Sequence, residues 1–367
     1  MKSIRRLSVG ICCVASLALL QAQARPPRHI IIDTDPGVDD CFALLLAMRS
    51  PEVTVDAITV VAGNVPVDVG LPNALRMVEV ARRTDIPVAR GAAAPLTRKL
   101  VTATYGHGND GMAGQSASFP QPRTQPVLTP AAELIRELVR KSPRQISIIA
   151  IGPLTNVATA LRNDPDLAGL IKEIVLMGGS MSGGNITPAA EFNIYVDPEA
   201  ARIVFHSGIP ITMVGLDVTR KAQLKEEYIK ELESSHDPVA QAAARISRPN
   251  RPPGTPPPPQ NQPSGGRALH DPLALATFID PSVVTLQKAY VEIETSGELT
   301  AGETVVYRRG VVRHSPPLIT EADPGPYPDW QPMENAQVAV DVDPAKFFQM
   351  LIPRLTGKPL SSIASLK

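Results

Sequence analysis

Residues 30–40 read Ile-Ile-Ile-Asp-Thr-Asp-Pro-Gly-Val-Asp-Asp, an apolar run that ends in four carboxylates, Asp33, Asp35, Asp39 and Asp40. The run has the character of a buried strand, and the acids crowd the turn that follows it. Carboxylates a few ångströms apart raise one another's pKa, and a hard divalent ion with oxygen ligands is the usual way to keep them all ionised. Pro36 and Gly37 force a tight turn between the two acidic pairs, so that Asp35 and Asp40 can face one point. The plainer alternative is a solvated acidic loop that opens a helix, where aspartate also caps well.

Outward from this turn, short β-branched runs alternate with charged, periodic stretches of helical length. Residues 53–61, 86–89, 145–151, 174–177 and 211–216 read as strands, and 75–83, 131–141, 154–162 and 198–206 as helices between them. This is the pattern of parallel βαβ units. It predicts an α/β fold with an open, mostly parallel, Rossmann-like sheet flanked by helices. In such a sheet the ligand lies outside the carboxyl ends of the strands, where the acidic turn already sits. Further on, 271–279 returns to helix, 283–306 and 336–342 suggest more strands, and 345–355 a closing helix.

The chain of 367 residues carries 36 basic and 36 acidic side chains and a formal charge of zero. A balanced surface gives no electrostatic reason to expect nucleic acid or an anionic membrane as partner, which points to a small ligand. Residues 1–24 read as an export signal: Lys2, Arg5 and Arg6, an apolar stretch, then Ala22-Gln23-Ala24 as a small-residue cleavage site. The mature domain would span 25–367, without a membrane anchor, in the periplasm or outside the cell. Cys12 and Cys13 would leave with the signal, and Cys41, just ahead of Phe42-Ala43-Leu44, reads as a packing residue. One segment breaks the rhythm. Residues 249–263 hold eight prolines, and 248–266 is expected to be an exposed insertion or a lid within the domain.

Polar residues that a packed α/β core does not require recur at His270-Asp271-Pro272, at Asn185 in a glycine-rich loop and at Glu191-Phe192-Asn193. Alone, each has an ordinary reading as a cap or loop bond. Taken in order, Asp33-Thr-Asp-Pro-Gly-Val-Asp-Asp40, Gly152-Pro-Leu-Thr-Asn156, Leu176-Met-Gly-Gly179, Glu191-Phe-Asn193, Asp197-Pro-Glu-Ala200 and His270-Asp-Pro272 resemble the inosine-uridine-preferring nucleoside hydrolases. The resemblance covers about residues 28–355.

That resemblance implies hydrolysis of the N-glycosidic bond of ribonucleosides to free base and ribose, with Ca²⁺ as cofactor. It assigns Asp35, Asp40, Asp271 and the main-chain carbonyl of Ile151 to the metal. A metal-bound water would be activated by Asp35 as general base, and His270 is the candidate acid for the leaving base. Asp39, Asn64, Asn185, Glu191 and Asn193 match residues that hydrogen-bond the sugar, Met177 packs beneath it, and His107 belongs to a loop that closes on the nucleobase. A homodimer or homotetramer is the family's usual assembly. The place where relatives carry base-contacting tyrosines holds the proline-rich segment here. Two other classes compete: an exported Ca²⁺-dependent nucleoside-binding protein without catalysis, and an aspartyl-phosphate-type phosphatase, which the Pro36-Gly37 pair disfavours.

Overall fold

The computed structural model describes residues 26–250, 266–308 and 333–358. The export signal at 1–24, all but Pro249 and Asn250 of the eight-proline stretch, and Trp330 lie outside the described residues.

The strands in chain order are β1 (Arg28–Thr34), β2 (Val53–Val60), β3 (Val88–Arg90), β4 (Ile146–Ala150), β5 (Glu173–Met177), β6 (Ile211–Val214), β7 (Gln223–Leu224), β8 (Arg267–Ala268), β9 (Val284–Ile293), β10 (Thr304–Tyr307) and β11 (Ala336–Val342). Nine of them form one sheet in the order β10-β9-β11-β6-β5-β4-β1-β2-β3, and β7 and β8 make a small antiparallel pair. Pairing is parallel from β11 through β6, β5, β4, β1 and β2 to β3. Strands β9 and β10 add an antiparallel edge. The expected open, mostly parallel sheet is therefore the sheet observed.

Strand β1 shows why. Its last five residues are buried, with Ile30 and Ile32 feeding the apolar layer on one face and Ile31 the layer on the other. A strand covered on both faces needs a continuous apolar run rather than alternation. The run ends where the strand leaves the core, and the acids begin there. The helix Val38–Met48 follows at once, and all eleven of its residues are buried. Gly37 caps it, and the Asp40 carboxylate accepts the Gly37 N–H at 2.9 Å, closing the first turn.

Three elements differ from expectation. The helix read at 75–83 begins at Val67 and runs to Val80, with Pro72 inside it; an interior proline reads as a break, and tertiary packing carries the helix across it. Two helices, Glu226–Ser234 and Pro238–Ser247, occupy a stretch that gave no clear periodic signal. Tyr228, on the first of them, stacks on Phe348 with ring centroids 4.3 Å apart, so it is a packing residue tied to the closing helix Pro344–Thr356. Cys41 is buried and free, as its apolar surroundings suggested.

Phe42 is completely buried in the helix that carries Asp39 and Asp40. Phe42→Ala is expected to cost about 3–5 kcal/mol of stability. Urea unfolding followed by circular dichroism measures this, and a loss below about 1 kcal/mol would mean the helix relaxes around the cavity.

Candidate active site

The site lies at the carboxyl edge of the sheet, where the turns after β1, β2, β4, β5 and β6 converge. Asp35 leaves β1 into a space with no room for added atoms. A Cβ on Gly63 would lie 2.1 Å from one Asp35 carboxylate oxygen, and a Cβ on Gly152 would lie 2.7 Å from the other. Two glycines from different loops therefore let the backbone close on this carboxylate. Asp35 Oδ2 accepts the Asn64 N–H at 2.7 Å, and its Oδ1 is buried without a partner.

Asp40 is held from several directions. Its Oδ1 accepts the Thr34 hydroxyl at 2.6 Å, and its Oδ2 accepts the Asn64 amide at 3.0 Å. Asn64 thus joins Asp35 to Asp40, one through its backbone and the other through its side chain. Beneath them, Asp33 Oδ1 accepts Thr59 at 2.6 Å and Asn156 at 2.8 Å, so Asp33 braces the floor from inside the sheet.

Asp271 arrives from the start of the helix His270–Ile279. Oxygens of Asp39, Asp40 and Asp271 all lie within 4.8 Å of one another, and all three residues are buried. Asp35 is outside this trio, but its carboxylate feels both Asp40 and Asp39. The Ile151 carbonyl accepts the Asn193 amide at 3.1 Å.

The electrostatics divide these acids. Burial, followed by the charge of neighbouring acids, pushes Asp35 and Asp271 well above the usual carboxylate range. Burial and then Asp39 raise Asp40 to about 6, and burial raises Asp33 to about 7. Asp39 goes the other way. Burial opposes its ionisation, but His107, His270 and Arg267 around it outweigh burial and hold it below its ordinary value. Asp35, Asp40 and Asp271 thus lack a counter-charge, whereas the surroundings of Asp39 favour its ionised form. The oxygen donors, the orphaned Asp35 Oδ1 and the missing positive charge fit a hard divalent cation.

The remaining expected residues are placed as follows. His107 Nδ1 accepts the Val38 N–H at 3.0 Å and lies 3.8 Å from Asp39 Oδ1. Burial lowers its pKa to about 4, so the ring is neutral with its proton on Nε2. The His270 N–H donates to Asp39 at 3.3 Å, its Nδ1 lies 2.7 Å from the Thr219 hydroxyl, and burial lowers its pKa too. Glu191 accepts the N–H groups of Gly179 and Ile194 at 3.0 and 3.1 Å, and burial raises it to about 7. Asn193 also donates to the Met177 carbonyl at 3.1 Å, which seats it over the buried Met177. Asn185 accepts the Phe192 N–H at 2.9 Å and fixes the glycine-rich loop.

Sequence reasoning passed over Thr34, Thr59, Asn156, Thr219 and the two site glycines. Asn156 and Gly152 lay within a quoted motif, whereas Thr219 carried no signal.

Three comparisons bear on this arrangement. The sequence profile of the family described as inosine-uridine preferring nucleoside hydrolase matches residues 30–349. A pyrimidine-specific ribonucleoside hydrolase RihA of Shewanella sp. (strain ANA-3) is 46% identical over 285 residues, covering 77% of this chain and 87% of that protein. The RihA of Salmonella schwarzengrund (strain CVM19633) is 42% identical over 332 residues, covering 89% and 97%. Among solved structures, a plant nucleoside hydrolase, PpNRh1, superposes with a TM-score of 0.78 at 33% identity, covering 90% of this chain and 99% of that one. A purine-preferring ribonucleoside hydrolase from Gardnerella vaginalis gives 0.76 at 29% identity, covering 92% and 100%.

The pKa directions predict how stability follows pH. Asp33, Asp35, Asp40, Asp271 and Glu191 are all raised, so above the unfolded carboxylate values the folded chain holds protons that the unfolded chain has released. Stability contributed by these groups is lost as pH rises toward their folded values. His107 and His270 are lowered and act in the opposite sense over the same range, but they are outnumbered. The metal-free protein is therefore expected to melt at a lower temperature at pH 7.5 than at pH 5. A divalent cation should raise the melting temperature more at pH 7.5, as scanning calorimetry with and without chelator would record. A cation effect independent of pH would contradict the carboxylate reading.

Proposed function

We propose a mechanism and a base preference on the premise that the chain belongs to the inosine-uridine preferring nucleoside hydrolase family. It is an enzyme that hydrolyses the N-glycosidic bond of ribonucleosides, and its family is metal-dependent.

The observation that carries the mechanism is the Asp35 carboxylate: buried, fixed on one oxygen by Asn64, and unpartnered on the other. Asp35 is the general base that takes the proton of the attacking water. Its rigid seat fixes the direction of attack. Asp35, Asp40, Asp271 and the Ile151 carbonyl would hold Ca²⁺, since these three acids meet no counter-charge. When bound, the cation supplies that charge and orients the water and the ribose diol. Asp39, whose surroundings favour its ionised form, accepts a ribose hydroxyl. Asn64, Glu191, Asn193 and Asn185 line the sugar, and Met177 packs under it.

Bond breaking leaves oxocarbenium character on the ribose and negative charge on the base. Buried carboxylates favour the first. His270, whose Nδ1 lies 2.7 Å from the Thr219 hydroxyl, donates to the second. His107, on the loop that meets the base, is oriented by the Val38 N–H with its proton on Nε2.

Pyrimidine ribonucleosides are the preferred substrates. The curated relatives at 41–46% identity are pyrimidine-specific. The segment at 1–24 directs the enzyme out of the cytoplasm, where it releases bases from external nucleosides.

Asp35→Asn is expected to leave nucleoside Kd within about tenfold while kcat falls by at least about a thousandfold, since a general base matters mainly in the transition state. Titration calorimetry beside steady-state turnover separates the two, and an active D35N removes Asp35 from the mechanism. Uridine and cytidine should exceed inosine and adenosine in kcat/KM by at least about tenfold, with turnover of all four abolished by chelator. Equal rates across the four, or turnover in chelator, would contradict the base preference or the metal requirement respectively.

A further inference from the structure

The mechanism leaves one buried polar group beside His270 without a role. Thr219 ends the short helix Leu216–Thr219, which follows β6 at the carboxyl edge of the sheet, and it is completely buried. Its hydroxyl lies 2.7 Å from Nδ1 of His270, a residue 51 positions further along. Backbone bonds fix both partners. The Thr219 N–H donates to the Gly215 carbonyl at 3.1 Å, the Ala222 N–H to the Thr219 carbonyl at 3.1 Å, and the Leu269 N–H to the Ala222 carbonyl at 2.9 Å, beside the pairing of β7 with β8. Arg267 on β8 donates through Nη2 to the Gly106 carbonyl at 3.2 Å, which ties that pair to the loop of His107. The His270 N–H donates to Asp39 at 3.3 Å. Among the described residues, the Thr219 hydroxyl has no hydrogen-bond partner except Nδ1, and Nε2 of the ring has none. A buried hydroxyl that accepted from an Nδ1–H would leave its own proton unpaired, which is the costlier arrangement. With the hydroxyl as donor both groups are satisfied, and the ring carries its proton on Nε2.

We propose that Thr219 is a positioning residue: its hydroxyl donates to Nδ1 of His270 and so presents a neutral imidazole, through its Nε2–H, to the departing base. This rests on the nucleoside-hydrolase reading above and states how His270 plays its part. A neutral imidazole is far too weak an acid to surrender Nε2–H outright, so it acts as a fixed hydrogen-bond donor to developing charge rather than as the source of a whole proton. In the step concerned, the C1′–N1 bond of uridine breaks and its electron pair leaves on N1, spreading to O2 of the ring. The water oxygen bonds to C1′ and its proton passes to Asp35. The Nε2–H hydrogen-bonds to the uracil anion, which then takes up a proton from solvent, and Asp35 returns its proton to solvent. Without the Thr219 hydroxyl, Nδ1 can hold the ring's proton instead, and Nε2 then turns a lone pair toward the anion and repels it.

The test joins a spectroscopic and a kinetic readout near neutral pH with Ca²⁺ present. ¹⁵N NMR of histidine-labelled protein reads the tautomer directly, the His270 signal being identified by its loss in His270→Gln. The wild-type ring is expected to carry its proton on Nε2, and Thr219→Val, which keeps the shape and removes the hydroxyl, to show a substantial Nδ1–H population. Thr219→Val is also expected to lower kcat on uridine by about thirtyfold, with KM within about threefold. On 4-nitrophenyl β-D-riboside, whose leaving group departs as an already stable anion, kcat should fall by less than about threefold. Thr219→Ser keeps the hydroxyl and should recover most of the uridine loss. A proton on Nδ1 in the wild type overturns the proposal, as does an unchanged uridine rate in T219V. Parallel losses on both ribosides would make Thr219 a packing residue and overturn it too. The wild-type spectrum needs no Thr219 variant, so it decides the matter even if T219V fails to fold. A wild-type enzyme that cleaves neither riboside overturns the hydrolase reading instead, while the tautomer is still read from the spectrum.

Discussion

Everything in this structure answers to the cost of holding acids in a dry place. Asp33, Asp35, Asp39, Asp40 and Asp271 are all buried, and an uncompensated carboxylate in the interior is among the most expensive groups a protein can hold. The fold does not dilute this cost by spreading the acids over the surface. It concentrates them at one edge of a nine-stranded sheet and gives each one a different set of partners.

The differences among those partners turn a cluster of like residues into a working site. Asp33 is fixed by two neutral donors and serves as a brace. Asp40 accepts hydrogen bonds from Thr34, Gly37 and Asn64, which pin its position. Asp39 faces Arg267 and two histidines, which favour its ionised form. Asp35 retains a buried oxygen with nothing bonded to it, held in place because Gly63 and Gly152 leave no clearance on either side. Chemically identical side chains within eight residues of one another thus acquire separate protonation behaviour from their surroundings alone.

The scaffold supplies precision cheaply. The acids stand on the end of a strand buried on both faces and on two helix first turns, elements whose positions are fixed by apolar packing rather than by the site's own bonds. The helix Val38–Met48 is buried along its whole length and packs against His270–Ile279, so Asp40 and Asp271 meet because two apolar helices do. Polar cross-links such as Asn64 to Asp35 and Asn156 to Asp33 then set the last fraction of an ångström.

The sequence by itself determined the sheet class and the location of the site. An uninterrupted Ile-Ile-Ile run can only suit a strand covered on both faces, and the Asp-x-Asp-Pro-Gly-x-Asp-Asp turn that follows must then sit at that strand's carboxyl end. Periodicity is local, so most strands and the helices Ala131–Lys141 and Pro198–Phe205 were legible within a residue or two. Pro72 hid the first half of its helix because a local rule forbids what tertiary packing there allows. Only the tertiary structure decided which acids share a counter-charge. That depends on contacts such as Asp39 with His270, 231 positions apart, and Asn156 with Asp33, 123 apart. It likewise brought Thr219 to a histidine and Arg267 to the loop before another. Spacing along a chain fixes the face on which a residue stands, but the groups across from it come from distant segments, and pKa is set by those groups.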